Sequence, residues 1–409
     1  MNLVTAFLLV SFPTLCVSFR PPQMFGGRPS TGFRVRNFDA KTKAELDSSP
    51  YTTPWNFTQK LDHFDSSNTA TWTQRYWHSD KFAKPNGPQF LMMGGEGPGS
   101  YYDVVYEKYP HILWAMNVSA GLWALEHRFY GGSRPFPQQT TENLKYLTSR
   151  QYLADVANFI KYQNQQLGLT NPQWVIFGAS YSGALALWFR ELYPDVAVGA
   201  VGSSGPVYAK LDFYEYLQVV EASIRTYDNT CAQNVKIAFQ KLETYMTSQA
   251  GRDRLTYYFS LVPAFKNLNI TYEDIENFYS TAIGNFQTAV QYSRVNSNLF
   301  KNHASIPELC KIMNTPAADP VMNIVWFYVY MTEIMESPFQ NIDNQWQDTI
   351  QYLQNTGYEN EGQAATRSWT WQTCNEFGYF QSTDAGGNIF GSKVPNNLYI
   401  DMCTEVFGP

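Results

Sequence analysis

From Asn56 onward the chain alternates short apolar runs with longer amphipathic stretches. Residues 71–78 switch between aromatic and polar positions, the period of a strand with one buried face. Residues 89–93, 121–125, 174–177 and 196–201 are apolar runs too short for helices, each followed by glycine or a charge. Between them, 141–166 is mostly polar but places Tyr152, Val156, Phe159 and Ile160 at helical spacing, and 184–193 reads as a helix that Pro194 stops. Strand, helix, strand, helix, strand predicts a parallel sheet covered on both faces. Beyond Pro206 the pattern changes. Residues 212–252 carry Tyr216, Val219, Val220 and Ile224 at helical spacing, more helical or irregular segments run to about 350, and short apolar runs are scarce. A mainly helical cap is predicted there. Near Trp369 the chain turns aromatic and glycine-rich again, and no internal repeat is evident. The expected organisation is a signal peptide over 1–18, a leader over 19–50, the first part of an α/β domain over 51–209, the cap over 210–365 and a return toward the α/β domain over 366–409.

Composition narrows class and partners. Of 409 residues 44% are apolar, with 28 Phe, 28 Tyr and 11 Trp, which suits a large core and not a disordered chain. The length fits one large domain with an insertion, or two domains. A net charge of −6 offers no basic field to nucleic acid. Residues 3–12 are apolar, too short to span a bilayer but suited to a signal peptide cleaved near Ser18. They lack a positive lead-in, and a buried N-terminal helix is the alternative. No other stretch approaches the ~18–20 uninterrupted apolar residues of a transmembrane helix. Residues 19–50, rich in Pro, Gly, Arg, Ser and Thr, read either as a flexible leader or pro-segment or as an ordered strap over the surface. Five cysteines occur; removing the signal takes Cys16 and leaves Cys231, Cys310, Cys374 and Cys403, enough for two disulfides with three possible connectivities. None sits in a CxxC pair, so no metal site is expected, and no cofactor. Sequons at Asn56, Asn117 and Asn269 add to the case for the secretory pathway.

The candidate chemistry lies in Trp174-Val-Ile-Phe-Gly178-Ala-Ser180-Tyr-Ser182-Gly183. A hydroxyl is a poor nucleophile unless it is held exposed beside a base. A strand that turns sharply into a helix lifts a serine above the C-terminal edge of a sheet, and the strained turn needs small neighbours. Gly178, Ala179, Ser182 and Gly183 supply them. The usual spacing is G-x-S-x-G; here Ser182 takes the last position, small enough for helix to approach strand. Ser180 is thus the candidate nucleophile of an α/β-hydrolase domain. The amides at the start of the next helix favour developing negative charge. An oxyanion hole needs a second donor from a loop after an earlier strand. Gly94-Gly95-Glu96-Gly97 is placed to supply it, making the Tyr181 N–H and a Gly95 or Glu96 N–H the candidate pair. Glu96, a carboxylate beside that loop, is also a candidate anchor for a substrate amino group.

The segments Gly94-Gly-Glu-Gly-Pro98, Glu126-His-Arg-Phe-Tyr-Gly-Gly-Ser-Arg-Pro135, Gly178-Ala-Ser-Tyr-Ser-Gly183 and Trp371-Gln-Thr-Cys-Asn-Glu-Phe-Gly-Tyr379 resemble peptidase family S28. The likeness is greatest to its thymus-specific branch and runs in order from about Asn56 to the last residue. It implies an α/β-hydrolase fold with a helical cap inserted after the sixth strand. It also implies the disulfides Cys231–Cys310 and Cys374–Cys403, and a serine exopeptidase of Pro-Xaa carboxypeptidase or dipeptidyl-peptidase type. Peptides are then the expected partners, the setting is secreted or lysosomal, and a homodimer is compatible with it.

In this fold the triad follows the order Ser, Asp, His. The resemblance places both partners beyond the last cysteine, the Asp in an Asn-Gly-x-x-Asp-Pro-Trp stretch and the His in a later loop. Neither stretch occurs before Pro409. His63, His78, His111 and His127 precede Ser180, with His127 read as structural, and His303 falls in the cap. Losing the base of a serine triad costs on the order of 10⁶-fold in rate. The chain as written is therefore expected to be nearly inactive and to lack closing strands of its sheet, as an incomplete gene model or a truncated isoform would. Two other readings compete: a non-catalytic secreted glycoprotein using the cap as a binding surface, and a lipase or esterase sharing the elbow. The Glu126-His127-Arg128 run and the cap favour the peptidase. Arg128 and Arg134 are expected as ion-pair partners rather than substrate clamps.

Overall fold

The computed structural model describes residues 38–265, 270–293, 305–334, 342 and 344–409, with the backbone of 24–25 and 28–29. Six strands form one sheet: β1 Trp55–Lys60, β2 Thr71–Ser79, β3 Gln89–Met93, β4 Gly121–Leu125, β5 Trp174–Ala179 and β6 Gly199–Ser203. Their order across the sheet is β1-β2-β4-β3-β5-β6. The β1–β2 and β2–β4 pairs are antiparallel, with Tyr76 opposite Leu125, and the other three pairs are parallel. Side chains alternate across the sheet as strand geometry requires. Leu91, Trp123, Leu125 and Ile176 enter one core, and Phe90, Leu122, Ala124 and Phe177 enter the other. The first core is covered by two helices, Ser149–Gln166 and Tyr181–Leu192, through Tyr152, Val156, Phe159, Leu185 and Phe189. The second is covered by the helix Pro110–Val118 through Ile112 and Ala115. This mixed sheet with helices on both faces is an α/β-hydrolase architecture. Residues 141–166 are not one helix: after the short turn Thr141–Leu144, Thr148 caps a fresh start at Ser149 by accepting from the Gln151 N–H.

The leader is not structureless throughout. Asp39 accepts a hydrogen bond from Thr42 N at 2.9 Å and starts the helix Ala40–Asp47. The Phe38 ring packs edge-on against Tyr102 and Tyr106 at 4.7 and 4.8 Å. Tyr51 donates to Asp80 at 2.8 Å. Residues 38–51 therefore lie as a strap on the domain. The signal peptide, with Cys16, lies outside the described residues.

After β6 the chain enters a helical region with its own core. Residues 212–252, read from their helical spacing, form three helices: Glu215–Tyr227, Asn229–Met246 and Gln249–Phe259. Asp228 and Ser248 make the breaks because each side chain caps the next helix, accepting from Thr230 N at 2.8 Å and Gly251 N at 3.1 Å. Val235, Phe239, Phe286, Phe327 and Leu353 meet in the interior of this region, and the buried Cys231–Cys310 disulfide ties two of its helices together. The chain returns through the helix Glu361–Gln372, a π-helical turn Thr373–Phe377 and a short strand Gly378–Phe380. That strand pairs in parallel with Lys210–Asp212, Gly378 opposite Lys210 and Phe380 opposite Asp212. The stretch expected to return to the α/β domain in fact divides. Phe377 packs into the sheet core, whereas Ile389, Phe390, Leu398, Met402 and Val406 pack into the helical one. The second disulfide, Cys374–Cys403, joins the two parts. Among the described residues no helix is long and apolar enough to cross a membrane.

Candidate active site

Strand β5 ends at Ala179 and a helix begins at Tyr181, so the whole reversal falls on Ser180. Its φ of 59° and ψ of −130° lie where residues with a Cβ are strained. Neighbouring bonds hold it there. Ser180 N donates to Ser203 O at 2.9 Å, and Ser180 O accepts from Gly183 N and Ala184 N at 2.9 and 3.1 Å. Ser182 does more than stay small. Its hydroxyl donates to Ala179 O at 2.8 Å and accepts from Ala179 N at 3.0 Å. Gly178 has no room for a side chain: a Cβ there would stand 1.9 Å from Ser182 O. Ser180 is half-buried and Ala179 exposed, so the bend stays open to solvent.

The Gly94-Gly95-Glu96 loop leaves β3 and lies against the elbow. A Cβ on Gly94 would come within 2.5 Å of His127 N, which requires glycine where the loop crosses β4. Gly94 N donates to Leu125 O and to the Tyr152 hydroxyl, both at 2.8 Å. The Gly95 Cβ position is 3.4 Å from Ser182 Cβ, so this backbone borders the first turn of the elbow helix. Tyr181 heads that helix, where the first N–H groups have no acceptor within it. The Glu96 carboxylate is 5% exposed, with Oε1 3.5 Å from Ser180 Oγ. Both face a cavity of about 220 Å³. Its other walls include Pro206 and Phe213 after β6, Tyr216 and Tyr399 from the helical region, and Trp369 and Tyr379 from the returning chain. Tyr379 donates to Pro206 O at 2.5 Å and so pins the returning strand to the loop after β6.

The family model of serine carboxypeptidase S28 matches residues 59–409. The chain belongs to this family. A Caenorhabditis elegans protein named as a serine protease is 40% identical over 412 residues, covering 98% of this chain and 76% of that one. Thymus-specific serine protease of Mus musculus is 29% identical, over 86% of this chain and 69% of the mouse protein. Lysosomal Pro-X carboxypeptidase of Pongo abelii is 31% identical over 49% of this chain and 42% of the ape protein.

In this S28 serine peptidase the Glu126-His127-Arg128 run is fully buried behind the site, each side chain with a different task. Glu126 takes Arg75 in a two-pronged pair, Nε to Oε2 at 2.8 Å, and accepts from Gly99 N and Gly132 N. Arg128 donates from Nε and Nη2 to the two oxygens of Asp155, both at 2.7 Å, and to the Leu61, Tyr146 and Lys60 carbonyls. His127 donates from Nδ1 to Arg128 O at 2.8 Å, which leaves Nε2 to accept from the Tyr181 hydroxyl at 3.2 Å. Burial pushes the His127 imidazole down to about 3, so it is neutral. The Tyr181 hydroxyl accepts from Gln372 at 2.7 Å, and Gln372 accepts from Tyr130 at 2.7 Å. Gln372, missed by sequence reasoning, thereby links the returning chain to the residue next to Ser180.

Other sequence-selected residues fall away from the cavity. Among the described residues Arg134 has no ion pair: it stacks over Tyr358 at 4.4 Å and donates to Gly131 O. His63 bonds Asp155 at 2.8 Å, His111 bonds Asp103 O at 2.8 Å, and His78 stacks on Trp123 at 3.7 Å. Asn56 is exposed on the edge strand β1 and Asn117 on the helix Pro110–Val118. Asn269 and His303 lie outside the described residues. Cys374 and Cys403 line the cavity, whereas Cys231 and Cys310 are remote and buried.

Proposed function

We propose that the chain is a serine exopeptidase, with Ser180 attacking the peptide carbonyl. The observation that carries this is the strained, half-buried Ser180 at the mouth of a small cavity, between a helix N-terminus and a glycine loop. Oγ attacks the carbonyl carbon as its proton passes to a base. The Tyr181 N–H, with Gly95 or Glu96 N–H, stabilises the oxyanion; collapse expels the amine and leaves an acyl-enzyme that water hydrolyses. A cavity of about 220 Å³ suits a chain end better than the middle of a polypeptide. The four described histidines bond or stack with groups other than Ser180. Two disulfides and a relative named as lysosomal support an exported protein, with 1–18 as its signal.

The test is a fluorophosphonate reaction followed by peptide mapping. The expected adduct sits on Ser180 and vanishes in Ser180→Ala. Adduct on a different serine would remove Ser180 from the role.

A further inference from the structure

In the cavity beside Ser180, Glu96 is the only carboxylate in the described lining, which contains no Lys, Arg or His. Its lining includes the aromatic residues Phe213, Tyr216, Trp369, Tyr379, Phe380 and Tyr399. Aromatic faces attract cations through their quadrupoles, and a nearly buried carboxylate does so more strongly than one in water. The same carboxylate repels a C-terminal carboxylate. Two residues before Glu96, Gly94 lies tight against the backbone of Leu125, Glu126 and His127.

We propose that Glu96 binds the protonated α-amino group of a peptide, so that the site works from the amino end. This rests on the reading of Ser180 as nucleophile and adds a direction to it. Peptide geometry fits. The amine and carbonyl carbon of one residue are about 2.5 Å apart. An amine held by a carboxylate 3.5 Å from Oγ therefore leaves the carbonyl of a first or second residue within reach of the hydroxyl.

Binding without turnover tests the idea. Ala-Pro-amide, with a free amine, is compared with its N-acetyl form by titration calorimetry on the full chain. The free amine is expected to bind about tenfold or more tightly. The advantage disappears in Glu96→Gln and fades above about pH 8, where the amine loses its proton. If Glu96→Gln does not fold, Glu96→Asp, with its shorter reach, must reduce the preference. Equal affinity for the two ligands, or a preference untouched by these substitutions, overturns the proposal. Fluorophosphonate adduct formation in the same samples reports on Ser180 separately. Its absence alongside intact amine discrimination counts against the nucleophile and not against Glu96.

Discussion

Ser182 and Ala179 close the elbow with two bonds through one hydroxyl, 2.8 Å to the carbonyl and 3.0 Å from the amide. A glycine at 182 would make the bend compact but could not make these bonds. Removing a buried hydrogen-bond partner costs about 1–3 kcal/mol. Ser182→Ala is predicted to lose that much in urea unfolding and to slow adduct formation at Ser180. An unchanged labelling rate would mean that the hydroxyl supports the fold and not the nucleophile's geometry.

A second prediction concerns Arg128 and Asp155, both fully buried. Asp155→Asn leaves a guanidinium in the interior without its counter-charge and should cost about 3–5 kcal/mol. The double variant Arg128→Met/Asp155→Leu should recover much of that loss, since neither charge remains. Denaturant melts of the three proteins decide it; a double variant as unstable as Asp155→Asn contradicts the argument.

Two neutral histidines set the acid response. Burial holds His127 at about 3 and His78 at about 4, while in the unfolded chain both return to about 6.5. Below that value the unfolded state binds protons that the native state refuses, so stability falls as pH drops from about 6.5 toward 3–4. Each histidine contributes a slope of up to about 1.4 kcal/mol per pH unit in its window. His78→Phe should flatten the dependence of unfolding free energy on pH between 6.5 and 4. A parallel curve would show that His78 does not titrate as its burial demands.

The disulfides should differ under reduction. Cys231–Cys310 is buried in the helical core, whereas Cys374 and Cys403 are half-buried at the cavity wall. Brief treatment with a dithiol is predicted to open Cys374–Cys403 first, read by alkylation and peptide mapping. The 29-residue separation it closes corresponds to about 3–4 kcal/mol of chain entropy. Alkylation appearing first at Cys231 and Cys310 would refute the ranking.

Much of the α/β part could be read from pattern. Runs such as 89–93 and 121–125 are apolar on both sides because both faces of the sheet are covered, and the elbow needs small residues at fixed offsets. The rest depended on contacts distant in sequence. Lys210–Asp212 and Gly378–Phe380 are too short to carry a two-residue period, yet their pairing brings Tyr379 to the cavity. Gln372 reaches Tyr181 across 191 positions, which no local spacing encodes. Asp228 and Ser248 cap the second and third helices, but helical spacing continues on either side and gives no sign of the breaks. Arg134 was read by its charge, whereas its partner turned out to be a ring.

The three-residue pairing of Lys210–Asp212 with Gly378–Phe380 brings the two ends of the helical region side by side. Trp369 and Tyr379, near its closing end, form part of the cavity wall beside Ser180. Substitutions near that end can reshape what the cavity accepts, while the bend that presents Ser180 is held by its own neighbours Ser182 and Ser203.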